Sequence, residues 1–184
     1  MKATDQLRDE HKGVLLMLAI LEKVSEKLAT EGSLEKKHLE GMLEFFRVFV
    51  DKCHHGKEED LLFPAYEAAG IPKKNGPIGA MLAEHVEGRG YIKNMTVAFE
   101  GFKKGEHFSG AHIVEYAKKY IALLKQHIDK EDTVLYPMGD ARITNEQNKE
   151  LLAGFDRIEK ERIGSGKHEQ FHAMIDMLKN IYLN

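Results

Sequence analysis

The sequence predicts an all-α protein, an up-down-up-down four-helix bundle with additional C-terminal helices. Three observations predict it. Apolar residues recur at steps of three and four almost throughout, with hardly any alternating stretch that would read as a strand. There are only 4 prolines in 184 residues, which favours long uninterrupted helices. And a His-x-x-Lys-Glu turn occurs twice, at His54–Glu58 and His127–Glu131, each followed by an acidic residue, two aliphatics, an aromatic and a proline.

The first helix is expected from about Asp5 to Thr30, with Thr4 as N-cap and Gly32 ending it. Leu7, Val14, Leu15, Leu18 and Leu21 form its stripe, and His11 falls four residues after Leu7 and four before Leu15, facing inward. Ser33 is placed to cap a second helix reaching about Ala69. Its stripe runs Leu39, Leu43, Phe46, Val50, His54, Glu58, Leu61 and Leu62, whereas His55 shares the register of Arg47, Asp51 and Glu59 and is read as polar-face. Pro77 suits the first turn of a third helix extending to about Lys104, with Ile78, Met81, Leu82, Ile92, Met95 and Phe99 inside and His85 among them. A fourth helix, from about Ser109 to Met138, carries Tyr116, Tyr120, Leu123, Leu124, His127, Glu131, Val134 and Leu135 on one face.

His11 and His85 both follow a glutamate, and the His11–His54 and His85–His127 intervals are 43 and 42 residues, so the chain reads as two similar helical hairpins. The bundle spans about residues 5–139. The remainder, about 144–184, is a helical appendage of the same domain, which makes 1–184 a single domain. Thr144 and Gln147 form a capping box opening a fifth helix striped by Leu151, Leu152, Phe155 and Ile158. Gly164-Ser165-Gly166 breaks it, and Phe171, Met174, Ile175, Leu178 and Tyr182 stripe the last helix.

Composition narrows the function. The formal net charge is −3 with no basic block, which disfavours nucleic acid. No stretch approaches the roughly 20 apolar residues of a membrane span. With Cys53 the only cysteine, there is no intrachain disulfide framework and no thiolate metal cluster. No secretory leader is legible, so the expected compartment is the cytoplasm.

A lone core histidine is usually a packing residue. Four core-facing histidines with two core-facing glutamates, repeated at matching intervals, require a chemical explanation. A His and a Glu four residues apart point at one interior site. Two such carboxylates buried together would repel unless a cation lay between them. A divalent metal pair answers this, held by His11, His54, Glu58, His85, His127 and Glu131. Nitrogen and oxygen donors without sulfur suit iron first, then manganese or zinc. Open positions on a redox-capable pair inside an apolar bundle suit O2, NO or peroxide.

The pattern His11, His54-x-x-x-Glu58, His85, His127-x-x-x-Glu131, with Phe-Pro and Tyr-Pro after the turns, resembles the hemerythrin-like (HHE cation-binding) family over roughly residues 5–139. The resemblance implies two non-haem iron ions, one on His11 and His54, the other on His85 and His127, bridged by Glu58 and Glu131. The oxygen-carrying hemerythrins have a second histidine one turn along the third helix, but here Arg89 follows His85 by four and Met81 precedes it by four. Four-histidine sites resemble the iron–sulfur repair and NO-responsive members equally well. The expected function is therefore a di-iron protein binding O2 or NO for sensing, storage or transport. The alternative is a di-iron enzyme or iron donor in peroxide or NO detoxification or iron–sulfur cluster repair. The sequence names no catalytic residue and no protein partner, and a plain helical interaction module without metal is the third class.

Other signals are weaker. His168-Glu-Gln-Phe-His172 fits the zincin pattern but is read as a surface turn. Glu35–His38 and Glu169–His172 match the ferritin-type Glu-x-x-His by coincidence. Cys53 is read as a small buried residue, and His38, His107 and His112 as surface or loop residues.

Overall fold

A computed structural model describes residues 1–164 and 166–184. It is all-helical, with no strand among the described residues. Six helical segments follow one another: α1 (Ala3–Glu31), α2 (36–68), α3 (Pro77–Lys103), α4 (109–140), α5 (Asn145–Arg162) and α6 (Lys167–Tyr182).

The termini show which local signals were used. Gly32 ends α1 in the left-handed conformation (φ 65°), its N–H reaching back to the Leu28 carbonyl, a position that favours glycine because it has no Cβ. Pro77 opens α3 after an extended Gly76, and Thr144 with Gln147 makes the expected capping box on α5. Two caps differ from expectation. Thr4 lies inside α1, buried, its hydroxyl donating to Asp140, and Lys2 takes the N-cap position. Ser33 does not cap α2, which starts three residues later behind Glu35. Ser165 of the expected Gly-Ser-Gly break lies outside the described residues.

α2 and α4 contain π-helical turns in which the N–H bonds five residues back: Phe46–His55 and Glu58–Leu62 in α2, and Glu131–Leu135 in α4. The two shorter turns are duplicates with a common cause. Pro64 and Pro137 lack an N–H, and their rings crowd the carbonyl four residues back, which widens the preceding turn. The residue before each proline accordingly bonds to Glu58 and to Glu131.

The apolar residues form two clusters. The larger takes Val14–Leu28 of α1, Leu39–Val50 of α2, Ile92–Phe99 of α3 and Ile113–Ile128 of α4, with Phe171, Ile175 and Leu178 of α6. The smaller takes Ala3, Leu7, Leu62, Phe63, Tyr66, Ile78, Met81, Leu135 and Tyr136, with Leu151 and Phe155 of α5. On all four of α1–α4 the histidines and glutamates singled out by the sequence lie where the two clusters meet. A buried polar layer thus crosses an apolar interior, and α5 and α6 cover its two flanking clusters. Leu15 and Val134, expected inside, are instead exposed. None of the described helices is long and apolar enough to cross a membrane.

Candidate metal centre

Each wall of the polar layer is set by helical register. His11 comes from α1, His54 and Glu58 from α2, His85 from α3, His127 and Glu131 from α4, and all six are buried. The imidazoles meet in two pairs, His11 Nε2 being 3.0 Å from His54 Nε2 and His85 Nε2 3.1 Å from His127 Nε2. The carboxylates span the pairs. Glu131 has one oxygen 3.3 Å from His11 Nε2 and the other 3.3 Å from His127 Nε2. Glu58 Oε2 is 3.3 Å from His85 Nε2 and 3.9 Å from His54 Nε2.

The far side of every ring is tied down. Nδ1 donates to a carboxylate in each case: His11 to Asp132 (2.9 Å), His54 to Glu10 (2.8 Å), His85 to Glu59 (2.7 Å) and His127 to Glu84 (2.9 Å). In the neutral ring this fixes the tautomer that leaves Nε2 as the lone-pair donor pointing inward, the arrangement seen behind metal-bound histidines. The supporting set is itself duplicated. Glu10 and Glu84 each precede a core histidine and each also accepts from a lysine three residues beyond the histidine they orient, Lys57 and Lys130. Glu59 and Asp132 each follow a core glutamate. Tyr136 breaks the symmetry, donating to Glu58 at 2.5 Å from a position where the first half has Phe63.

Electrostatics follow from burial and these neighbours. Burial alone would push the Glu131 carboxyl up, but His127 and His11 outweigh it and hold it well below the usual range. Burial disfavours a charge on His11 and His127, yet Asp132 and Glu131 raise the first to about 9, and Glu131 and Glu84 raise the second to about 10. Glu10 falls to about 2, His54 and Lys57 overriding its burial. Cys53 is buried and its thiol is pushed up to about 12, as befits an inert packing residue.

Does this site suit a cation? Glu58 Oε2 and Glu131 Oε1 are buried without any hydrogen-bond partner, although native proteins satisfy nearly all such atoms. Both face the inward Nε2 atoms. Among the described residues, two groups bring donor atoms within 4.8 Å of one another: His11, His54, Glu58 and Glu131, and His55, Glu58, His85 and His127. Six of these seven residues are those expected, and Glu58 is common to both groups. The donor set fits a metal pair.

His55 corrects the sequence reading. It is 5% exposed, not on the polar face. A regular helix turns neighbours about 100° apart, but the π turn over Phe46–His55 takes more residues per turn, so His54 and His55 both reach the interior. Burial, then the neighbouring imidazoles of His85, His54 and His127, depress its pKa well below the usual histidine value.

The remaining histidines hold no second centre among the described residues. His168 donates to Glu159 (2.6 Å) and stacks on an exposed His172, but the three do not bring donor atoms within 4.8 Å of one another. His38 is half-buried and meets Tyr182, while His107 and His112 are exposed.

A family model, the hemerythrin HHE cation binding domain, matches residues 2–139. Uncharacterized proteins of Mycobacterium bovis and of two Mycobacterium tuberculosis strains are each 21% identical over 179 residues, covering 97% of this chain and 68% of theirs. No solved structure matches. With three quarters of its length inside that family model and the family's His and Glu pattern drawn together in a buried layer, the chain belongs to the hemerythrin HHE cation-binding family.

Proposed function

We propose that the chain holds two non-haem iron ions in the polar layer of an up-down-up-down bundle formed by α1–α4, and binds O2 or NO there. His11 and His54 would hold one ion, His85 and His127 the other, with Glu58 and Glu131 shared. The observation that carries this is the pair of orphaned carboxylate oxygens, Glu58 Oε2 and Glu131 Oε1, facing four imidazole nitrogens whose opposite sides are already anchored. Iron in this setting supplies electrons and open coordination positions for a small diatomic ligand.

The protein's own contribution is positioning and exclusion. The four outer carboxylates hold the rings at fixed angles, and Tyr136 holds the Glu58 carboxylate through its hydroxyl. Val14, Val50, Leu124 and Ile128 roof the layer on the side of the larger cluster and keep water from it.

Metal analysis of purified protein is expected to give two irons per chain, and alanine at Glu58 or Glu131 to abolish the pair. Metal-free protein of unchanged stability would refute the reading. Exposing the reduced protein to O2 separates the functional classes. A spectrum that develops and then reverses under vacuum supports carriage or sensing, whereas rapid irreversible oxidation supports peroxide or NO turnover or iron release for cluster repair.

A further inference from the structure

Five buried imidazoles converge on the polar layer, and four of them are locked by hydrogen bonds of 2.7–2.9 Å to carboxylates. His55 is the exception. Its Nδ1 is buried with no hydrogen-bond partner, and the nearest carboxylate, Asp51 Oδ1, stands 3.5 Å away, itself taken at 2.7 Å by Arg89. What holds the ring is stacking on His85, with centroids 3.8 Å apart and planes 17° from parallel.

That stacking also bears on coordination. A metal ion lies in the plane of each imidazole that binds it. Two nearly parallel rings 3.8 Å apart have separate planes, so one ion cannot lie in both. The distance grouping that places His55 beside His85 and His127 is therefore proximity, not shared ligation.

Its position suggests another role. An outer cavity of about 290 Å3 lies between α2 and α3, walled by Phe46, Gly88, Ile92 and Tyr120 and rimmed by Arg47 and Lys93. A small void too tight for a water molecule lies against His11, His54 and His127 under Val50, Leu124 and Ile128. Among the described residues, His55 alone lines both.

We propose that the outer cavity is the entry path for the small neutral molecule bound at the metal layer, and that the His55 ring is its gate. This rests on the di-iron reading above. The inner wall of the path is formed by Phe46, Gly88, Ile92 and Tyr120, with the Asp51–Arg89 ion pair at its side, a surface that an uncharged diatomic can cross. Its barrier is a ring with no hydrogen bond at Nδ1, held chiefly by packing on His85, so moving it breaks no bond at that atom.

Rapid mixing of NO with the iron(II)-loaded protein tests the gate. Relative to wild type, His55→Ala is expected to raise the association rate constant about tenfold, a loss of about 1.4 kcal/mol from the entry barrier. Gly88→Val acts in the opposite direction. A Cβ at Gly88 meets Tyr120, Leu124 and Leu123 at an ordinary 3.5–3.7 Å, so a branch point is accommodated there, and the added methyls are expected to narrow the cavity and slow entry. Iron content should stay at the wild-type value in both variants. Unchanged rate constants in both would overturn the proposal, as would loss of one iron in His55→Ala, which would make His55 a ligand. Xenon supplies a readout that needs no metal. In the metal-free protein, xenon should shift the NMR signals of Ile92 in the wild type and lose that effect in Gly88→Val. An unperturbed Ile92 would remove the path even if the iron reading failed independently.

Discussion

Glu10 and Glu84 do the same job in two different environments, and replacing each by glutamine should separate stability from metal affinity. Glu10 is 5% exposed and its lysine, Lys57, not at all; Glu84 is 18% exposed and its lysine, Lys130, 42%. Glu10→Gln leaves the Lys57 ammonium buried with Glu159 alone, 3.3 Å away. Breaking a buried pair by removing one member costs roughly 3–5 kcal/mol, and the remaining Glu159 places this case near the lower end. At about 2–4 °C per kcal/mol for a domain of this size, the metal-free variant should melt some 6–12 °C lower. Glu84→Gln frees a lysine that water can solvate, so about 0.5 kcal/mol and a degree or two are expected. Both substitutions remove the charge behind a ring proposed as a ligand, His54 or His127, so both should weaken metal binding by about 10–100-fold. Urea and thermal melts of the metal-free proteins give the first quantity, and competition with a chromophoric chelator the second. Equal stability losses would refute the role assigned to burial, and wild-type affinity in both variants would refute the orienting role of the carboxylates.

Metal uptake should release protons. His11 and His127, raised to about 9 and 10, are protonated at pH 7 in the metal-free chain and must be neutral to coordinate. Affinity should therefore climb with pH up to about 9–10, and an indicator titration in weak buffer that detects no proton release would reject this. The sign for metal-free stability is opposite. Groups raised on folding contribute fully below their unfolded value near 6.5, and that contribution is lost as pH rises through 9 to 10. Urea melts of the metal-free protein from pH 6 to 10 should thus show declining stability, and a flat profile counts against it. Gly139→Ala should be poorly tolerated, because its Cβ would overlap the buried Tyr66 ring, and overpacking of this kind costs about 1–3 kcal/mol. Phe155→Ala should cost about 3–5 kcal/mol, because α5 inserts this fully buried ring beside Leu62 and Tyr66. If α5 and α6 form one domain with the rest, the variant unfolds in a single transition at lower urea, and a separate early transition would contradict that.

The positions where sequence reasoning worked and failed follow one physical line. Periodicity located His11, His54, Glu58, His85, His127 and Glu131 as inward because each continues an apolar stripe at steps of three and four. The same periodicity misplaced His55, because it assumes 3.6 residues per turn through a stretch where the turns are wider. A second signal was available in the repeat. Position 55 corresponds to Ile128, a plainly apolar residue that is 4% exposed. An interior position in one half argues for an interior position in the other, whatever the helical wheel says. The repeat also carried the outer shell: Glu10 with Glu84, Lys57 with Lys130 and Glu59 with Asp132 recur at matching offsets, which exposed charges have no reason to do. What it could not carry is the chemistry of each end of the site. That resides in the mismatches, His55 against Ile128 and Tyr136 against Phe63. Both differences fall on side chains touching the polar layer, one beside the outer cavity and one on the Glu58 carboxylate. The duplicated residues build a symmetric cage, and the two exceptions make its halves chemically distinct, so a small molecule should bind preferentially at one end of the layer.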